Sequence, residues 1–98
     1  MEVQPADVIQ EKKVLKELTL IPGVGKSIAK DLYNIGIQRI EDLKGVDPQQ
    51  LYDHSNQFAG CIQDRCLLYV FRCAVYFAET PANNRENEKL KWWNWKDS

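Results

Sequence analysis

The chain has 98 residues, of which 44% are hydrophobic and 28% charged, which is ordinary for a folded domain and argues against disorder. Its length allows one small domain with a modest core. The formal net charge of −1 at pH 7 is unlike that of a basic nucleic-acid-binding domain, so any contact with nucleic acid must depend on a local patch.

The apolar segments of the chain are short. The longest run, Cys66 to Phe71, is too short to cross a bilayer, and the N-terminal residues lack the pattern of a signal peptide. Three cysteines are an odd number and favour reduced thiols. We therefore expect a cytoplasmic protein that does not insert into membranes.

Apolar spacing and capping residues predict helices throughout the chain and no strands. The predicted helices begin near Asp7, Lys26, Ile40, Pro48 and Asp64, and they end before Pro22, at Ile35, at Lys44, near Gly60 and at Thr80. Gly36 is expected to end the second helix in a left-handed conformation, with Ile37 as its apolar contact. Residues 1–80 then form an all-α domain of about five helices. Residues 81–98 comprise a linker and a tryptophan-rich tail that docks on the same domain.

The segment Ile21-Pro22-Gly23-Val24-Gly25-Lys26 connects the first two predicted helices. Its two glycines permit backbone angles that a Cβ would forbid, and they let the main chain approach another molecule closely. The turn opens directly into a helix, whose first N–H groups and positive dipole end attract anions. A lysine beside that helix start indicates a phosphate-binding turn.

A nucleotide-binding P-loop is the first alternative for this turn, because Gly25-Lys26-Ser27 resembles the end of that motif. The motif needs a glycine five residues before Gly25, where Leu20 stands, and it needs a preceding buried strand. The apolar residues before the turn have helical spacing instead. A helix-hairpin-helix explains the turn better.

Residues Leu18 to Leu43 closely resemble the helix-hairpin-helix units of DNA-repair polymerases, ligases and nuclease subunits. The segments Asp64–Ala78 and Leu90–Lys96 narrow the resemblance to the small bacterial pathogenicity-locus proteins, whose members are also called mitomycin-resistance proteins. The resemblance implies a helix-hairpin-helix or SAM-like bundle, in which the Ala59-Gly60 turn forms a degenerate second hairpin. It also implies binding to the DNA backbone without strong sequence preference.

The residues expected to contact DNA phosphates surround the first hairpin. They are Gly23, Val24, Gly25, Lys26, Ser27, Lys30 and Arg39. The resemblance further implies a monovalent cation, K⁺ or Na⁺, held by the backbone carbonyls of Thr19, Ile21 and Val24 and bridging to a phosphate. Lys12, Lys13 and Lys16 are interpreted as a solvated helix face.

Arg65, Tyr69, Arg72 and Tyr76 recur at helical spacing along the last predicted helix. This stripe combines groups that pair with phosphates and groups that stack on bases. It can equally cover the edge of the core, with the arginines paired to acids on neighbouring helices. The sequence leaves both interpretations open.

The three tryptophans, Trp92, Trp93 and Trp95, all lie in the tail among lysines. Aromatic rings interleaved with lysines can stack on unpaired bases. They can also anchor the tail on the bundle, and we expect at least two of the three rings to be docked and one to remain free for a partner.

Cys61, Cys66, Cys73 and His54 are potential zinc ligands. Their spacings do not match a zinc knuckle, and Cys66 and Cys73 are two helical turns apart, too far for one ion or a disulfide. We expect the cysteines to be small core residues and His54 to be exposed. No spacing indicates a catalytic triad or a carboxylate pair, so no enzymatic activity is expected.

The sequence supports two functions. The first is weak, backbone-mediated DNA binding with no cofactor beyond the hairpin cation. The second is a SAM-like protein-interaction module without DNA binding, which suits the low net charge and would use the tail or the arginine–tyrosine stripe as its interface.

Overall fold

The computed structural model describes residues 5–97, and this part of the chain is all-α, as predicted. The α-helices are α1 (Pro5–Leu18), α2 (Lys26–Asn34), α3 (Pro48–Ala59) and α4 (Cys66–Glu79). The predicted third helix is a short 3-10 helix, Ile40–Leu43, and further 3-10 helices form at Ala82–Asn84, Asn87–Leu90 and Trp92–Trp95. The expected linker, Pro81 to Asn87, is therefore partly helical.

Helix α4 lies at the centre of the molecule and is buried around most of its circumference. Its Phe71 is fully buried, as are Leu18, Leu32 and Leu43 from three other elements. These side chains belong to one continuous apolar cluster, to which the hairpin residues Ile21 and Val24 also contribute. The same core therefore stabilises α4 and fixes the turn between α1 and α2.

The start of α1 differs from the prediction. The helix begins at Pro5, so Asp7 lies inside its first turn and is not the N-cap residue. Proline is favoured at the first position of a helix because its missing N–H would have no partner there. The side chain of Asp7 lies outside the part of the chain whose side chains the structure describes.

The predicted end of α2 is confirmed. Gly36 has a φ of +100° and donates its N–H to the carbonyl of Tyr33, while Ile37 donates to the carbonyl of Leu32. This pair of bonds is a Schellman motif, which satisfies the last carbonyls of the helix. Ile37 is buried in the core, as the apolar contact of that motif requires.

Carboxylates cap the two later helices. Asp47 accepts a hydrogen bond from the Gln49 N–H at 2.9 Å at the start of α3, as expected. Asp64 accepts from the Cys66 N–H at 2.8 Å, although the residue directly before α4 is Arg65. The bond to the Cys66 N–H lowers the pKa of Asp64. Each carboxylate also interacts favourably with the positive N-terminal end of the helix that it caps.

The cysteine prediction is wrong for two of the three residues. Only Cys73 is buried, whereas Cys61 and Cys66 are exposed. Cys61 lies in the turn between α3 and α4, and Cys66 is the first residue of α4, before that helix enters the core. Helical periodicity identifies the face of a residue but not whether the core extends to that end of the helix.

The turn between α1 and α2 is fixed from the inside. Ile21 and Val24 are 1% and 4% exposed, and the Val24 N–H donates to the Ile21 carbonyl at 3.0 Å. Gly23 lies between them with a φ of +85°, a conformation that residues with a Cβ rarely adopt. A Cβ at this position would lie 2.9 Å from Cδ1 of Trp92. Gly23 thus permits both the tight turn and the close approach of the tail.

We expect Gly23→Ala to lower the free energy of unfolding by about 2 kcal/mol, since it combines an unfavourable φ with a displaced indole. For a domain of this size the loss corresponds to about 10 °C in melting temperature. Gly25→Ala is the matched control, because Gly25 has a φ of −87° and open space around its Cα. Thermal melts would contradict this account if the two variants were equally stable.

Candidate functional site

The start of α2 presents unsatisfied backbone donors at the surface. Gly25 is the N-cap residue, and no side chain caps the helix. The first N–H groups of a helix have no partner within it, so those of Lys26 and Ser27 are free to bind an anion. Both residues and Gly25 are exposed.

Two members of the predicted phosphate cradle have other roles. The Val24 side chain is buried, and its N–H is used within the turn. Gly23 has Trp92 against it. Of the five residues, Gly23, Gly25, Lys26 and Ser27 are exposed, and only Val24 is buried.

A groove beside this helix start brings together basic residues from α1 and α2. It has a volume of about 210 Å³ and is lined by Lys12, Leu15, Lys16, Thr19 and Lys26, which we call the lysine groove. Lys12, Lys16 and Lys26 form no ion pair with any acidic residue whose side chain is described. Three lysines without a described acidic partner thus line one groove, and one of them, Lys26, is the first residue of α2.

Lys12 and Lys16 were not predicted as site residues from the sequence. Their i, i+4 spacing places them on one face of α1, which was the available signal. That spacing could not show that this face lies beside Lys26, because the packing of α1 on α2 determines it.

Acidic residues near the hairpin are directed elsewhere. Glu17 accepts a hydrogen bond from the Ile40 N–H at 2.8 Å. Asp31 lines a separate cavity of about 370 Å³ together with Gly23 and Trp92, and burial raises its pKa. The two carboxylates that could have neutralised Lys26 therefore do not line the lysine groove.

The outer members of the predicted phosphate set are partly paired. The Lys30 ammonium forms an ion pair with Glu11 at 2.7 Å, and it lies 5.4 Å from the centre of the Tyr33 ring. Arg39 lies 3.6 Å from Glu41 and remains largely exposed. Lys30 is thus engaged within the protein, while Arg39 keeps only a loose contact.

The arginine–tyrosine stripe of α4 is covered by the tail. Arg65, Tyr69 and Arg72 all contact the carboxylate of Asp97. The fourth member, Tyr76, lies with its ring centre 5.5 Å from that of Trp95. The role of Asp97 was not predicted from the sequence, since a single acid near a chain end carries no recognisable pattern.

The three tryptophans have different environments. Trp92 packs on the core and on Gly23. Trp95 lies against Tyr76 and donates its Nε1–H to the Lys89 carbonyl at 2.8 Å. Trp93 is 49% exposed and meets Trp92 edge-on.

The segment before the tail is also held to α4. The Arg85 Nε–H donates to the carbonyls of Phe77 and Thr80 at 3.1 and 2.9 Å, and its guanidinium lies 3.6 Å from the centre of the Phe77 ring. A cation that binds the last carbonyls of a helix also complements the helix dipole. Arg85 therefore fixes the point at which the chain turns back along α4.

Cys61, Cys66, Cys73 and His54 do not form a metal-binding cluster. Among the residues with described side chains, no three of His, Cys, Asp and Glu lie close enough to hold a metal ion. Burial raises the pKa of the Cys73 thiol to about 11, so this thiol stays protonated at neutral pH. His54 is exposed on α3, as expected.

The carbonyls implied for a monovalent cation have the required chemistry. Those of Thr19 and Val24 accept no backbone hydrogen bond among the described turn and loop contacts, and that of Ile21 accepts one, from Val24. A carbonyl oxygen has two lone pairs, so each of the three has capacity for an ion.

Comparison with known proteins identifies the family. Residues 11–98 match the Pathogenicity locus family, and the chain belongs to it. The chain is 35% identical over 80 residues to the "Mitomycin resistance protein McrB" of Streptomyces lavendulae, covering 81% of this chain and 70% of that protein. No solved structure matches the chain. None of the helices in the described part is long and apolar enough to span a membrane.

We expect Trp92→Ala to lower the melting temperature by about 10 °C, because it removes a large ring packed on the core, at a cost of about 2 kcal/mol. Trp93→Ala is the matched control and should cost less than half as much, since its ring is half exposed. Thermal denaturation followed by circular dichroism measures both. Equal melting temperatures for wild type and Trp92→Ala would contradict the docked position of this ring.

The contact of Asp97 with α4 predicts a pH dependence. Hydrogen bonds from Arg65 and Arg72 lower the pKa of Asp97 from 3.8 to about 2. Because the folded pKa is the lower one, the contact stabilises the protein above about pH 4, and this contribution is lost as the pH falls toward 2. The half-exposed position makes the effect small.

The difference in melting temperature between wild type and Asp97→Asn should therefore be constant from about pH 7 to pH 5 and shrink below about pH 4. Thermal melts at each pH measure it. A difference that stayed the same at about pH 2.5 would show that Asp97 does not act through its charge.

Proposed function

We propose that the protein binds DNA through its phosphate backbone, without strong sequence preference, at the start of α2 and the lysine groove. The observation that carries this proposal is that Lys12, Lys16 and Lys26 line one groove and that Lys26 also begins a helix with no side-chain cap. Backbone donors and a helix dipole bind a phosphate directly, and the three ammonium groups attract those that flank it. None of these groups reads a base edge, so the contact carries no sequence information.

The hairpin acts as a helix-hairpin-helix in this proposal. A phosphate would approach Gly25, where no atom beyond Gly25 and its chain neighbours lies within 4 Å of the position that a Cβ would occupy. A monovalent cation on the carbonyls of Thr19, Ile21 and Val24 would supply a positive charge to the same phosphate. Arg39 is exposed enough to reach a neighbouring phosphate, whereas Lys30 would first have to leave Glu11.

The size of the site limits the affinity. About three phosphates can be neutralised, so log K should fall with log salt concentration with a slope of roughly −2 to −3. With a net charge of −1 the rest of the surface adds no attraction. Binding should be weak and strongly salt-dependent.

The biological setting is part of the proposal. The relative from Streptomyces lavendulae is named a mitomycin resistance protein, and DNA binding by this chain would suit a role in DNA repair or damage resistance. We propose a cytoplasmic, non-enzymatic protein that acts by binding.

A protein-interaction module is the second candidate. The last turn of α3 and the loop that follows it carry two exposed apolar side chains, Phe58 and Ile62, at 64% and 86% exposure. Neighbouring exposed apolar residues often mark a protein interface. In this alternative the hairpin is only a tight connection between helices.

Fluorescence anisotropy with labelled single-stranded, duplex and gapped DNA, at about 20 and 200 mM salt, tests the proposal. Lys26→Glu and Lys16→Glu should each weaken binding by about fivefold or more at low salt, because each reverses a charge at the phosphate site. Lys13→Glu is the matched control, since Lys13 carries the same charge on α1 but does not line the lysine groove.

Equal losses in all three variants would indicate a nonspecific charge effect and contradict the site. No binding by wild type at the lower salt concentration would reject DNA binding and favour the protein-interaction module. Circular dichroism of each variant controls for folding.

A further inference from the structure

Three donor groups on α4 converge on one carboxylate. Arg65, Tyr69 and Arg72 are spaced i, i+4 and i+7, so they share one face of the helix. The Arg65 Nε–H and the Tyr69 hydroxyl donate to Oδ2 of Asp97, the latter at 3.3 Å, and the Arg72 Nη2 lies 3.0 Å from Oδ1. A single anionic group with two oxygens is therefore bound by three side chains.

Arg72, one of the three donors, has contacts besides Asp97 that hold it in place. The Arg72 Nη1–H donates to the Trp95 carbonyl at 2.7 Å, and its guanidinium lies 5.6 Å from the centre of the Tyr69 ring. Arg72 is also the less exposed of the two arginines, with 27% of its side chain accessible against 50% for Arg65. This rigidity lowers the entropy cost of binding an anion.

The chemistry of the site suits a phosphate as well as a carboxylate. Guanidinium groups bind both anions through paired N–H···O bonds, and arginine is favoured wherever a phosphate is recognised. A phosphodiester carries one negative charge on two free oxygens, like the carboxylate of Asp97.

The end of the tail is weakly bound compared with its middle. Trp92 and Trp95 are anchored by ring packing and by the bond to the Lys89 carbonyl. Asp97 is exposed, and exposed ion pairs contribute little and are screened by salt. The residues around Asp97 can therefore detach while the tryptophans keep the tail on α4.

The tail also links this site to the hairpin. Trp92 contacts Gly23, and the same tail reaches Arg65 and Arg72 through Asp97. The cavity between the hairpin and α4 is lined by Gly23, Trp92, Asp64 and Cys66, so the start of α4 lies next to the hairpin. The hairpin and the start of α4 therefore border the same cavity, which Asp31 also lines.

We propose that Arg65, Tyr69 and Arg72 form a second phosphate-binding site, which the carboxylate of Asp97 occupies in the free protein and a DNA phosphate displaces. The proposal rests on the proposed function for the nature of the ligand. Asp97 acts as an internal competitor, so the site opens only when DNA held at the hairpin supplies a phosphate at high local concentration.

Asp97→Asn tests the competition, because it keeps the shape of the side chain and removes its charge. We expect this variant to bind DNA at least about threefold more tightly at low salt and with a salt slope steeper by about 1, since a further phosphate contact forms. Asp53→Asn is the matched control: it makes the same charge change on α3, where Asp53 contacts Gln49.

Replacing Arg65 and Arg72 with glutamine in the Asp97→Asn background should abolish the gain. An Asp97→Asn variant that behaves like Asp53→Asn, or a gain that survives the loss of both arginines, would overturn the proposal.

Inorganic phosphate, titrated without DNA, separates this proposal from the proposed function. The NMR signals of the Arg65 and Arg72 side-chain N–H groups should shift at millimolar phosphate in Asp97→Asn and much less in wild type. If phosphate shifts these signals but the protein does not bind DNA, the three side chains form an anion site whose ligand is not DNA. If Lys26→Glu weakens DNA binding but Asp97→Asn changes neither the DNA affinity nor the phosphate-induced shifts, the hairpin site stands and the second site is wrong.

Discussion

The burial of α4 is the constraint on which the rest of the structure depends. This helix is apolar on most of its surface, so a small domain must cover it from several sides. Leu18, Leu32 and Leu43 cover it from the earlier part of the chain, and Trp92 covers it from the tail. The tail is therefore needed to complete the core, and its polar contacts with α4 follow from that position.

The same core fixes the backbone of the hairpin, where we propose that a phosphate binds. Ile21 and Val24 insert into the core on either side of Gly23, which forces the backbone outward between them. Helix α2 then begins at the surface, where Gly25, Lys26 and Ser27 are exposed. The proposed phosphate site would therefore need no rearrangement of the backbone on binding, because the apolar residues have already fixed it.

Local signals in the sequence predicted the local structure well. The Schellman ending at Gly36 and the capping by Asp47 follow from residue types whose preferences act within one turn of helix. Contacts between elements were harder to predict. The sequence predicts a buried Cys66 and a Lys30 that is free to contact phosphate. In the structure Cys66 is exposed and Lys30 is paired with Glu11. Neither the extent of the core nor the position of Glu11 relative to Lys30 is encoded in the local sequence.

The central claim is that the start of α2 and the lysine groove bind a DNA phosphate. Its most direct test is a two-dimensional ¹H–¹⁵N NMR titration of the protein with a short duplex at low salt. The largest shifts should fall on the backbone N–H signals of Gly25, Lys26 and Ser27, and added salt should reverse them. Shifts confined to the residues around Phe58 and Ile62, or none at low salt, would contradict the claim.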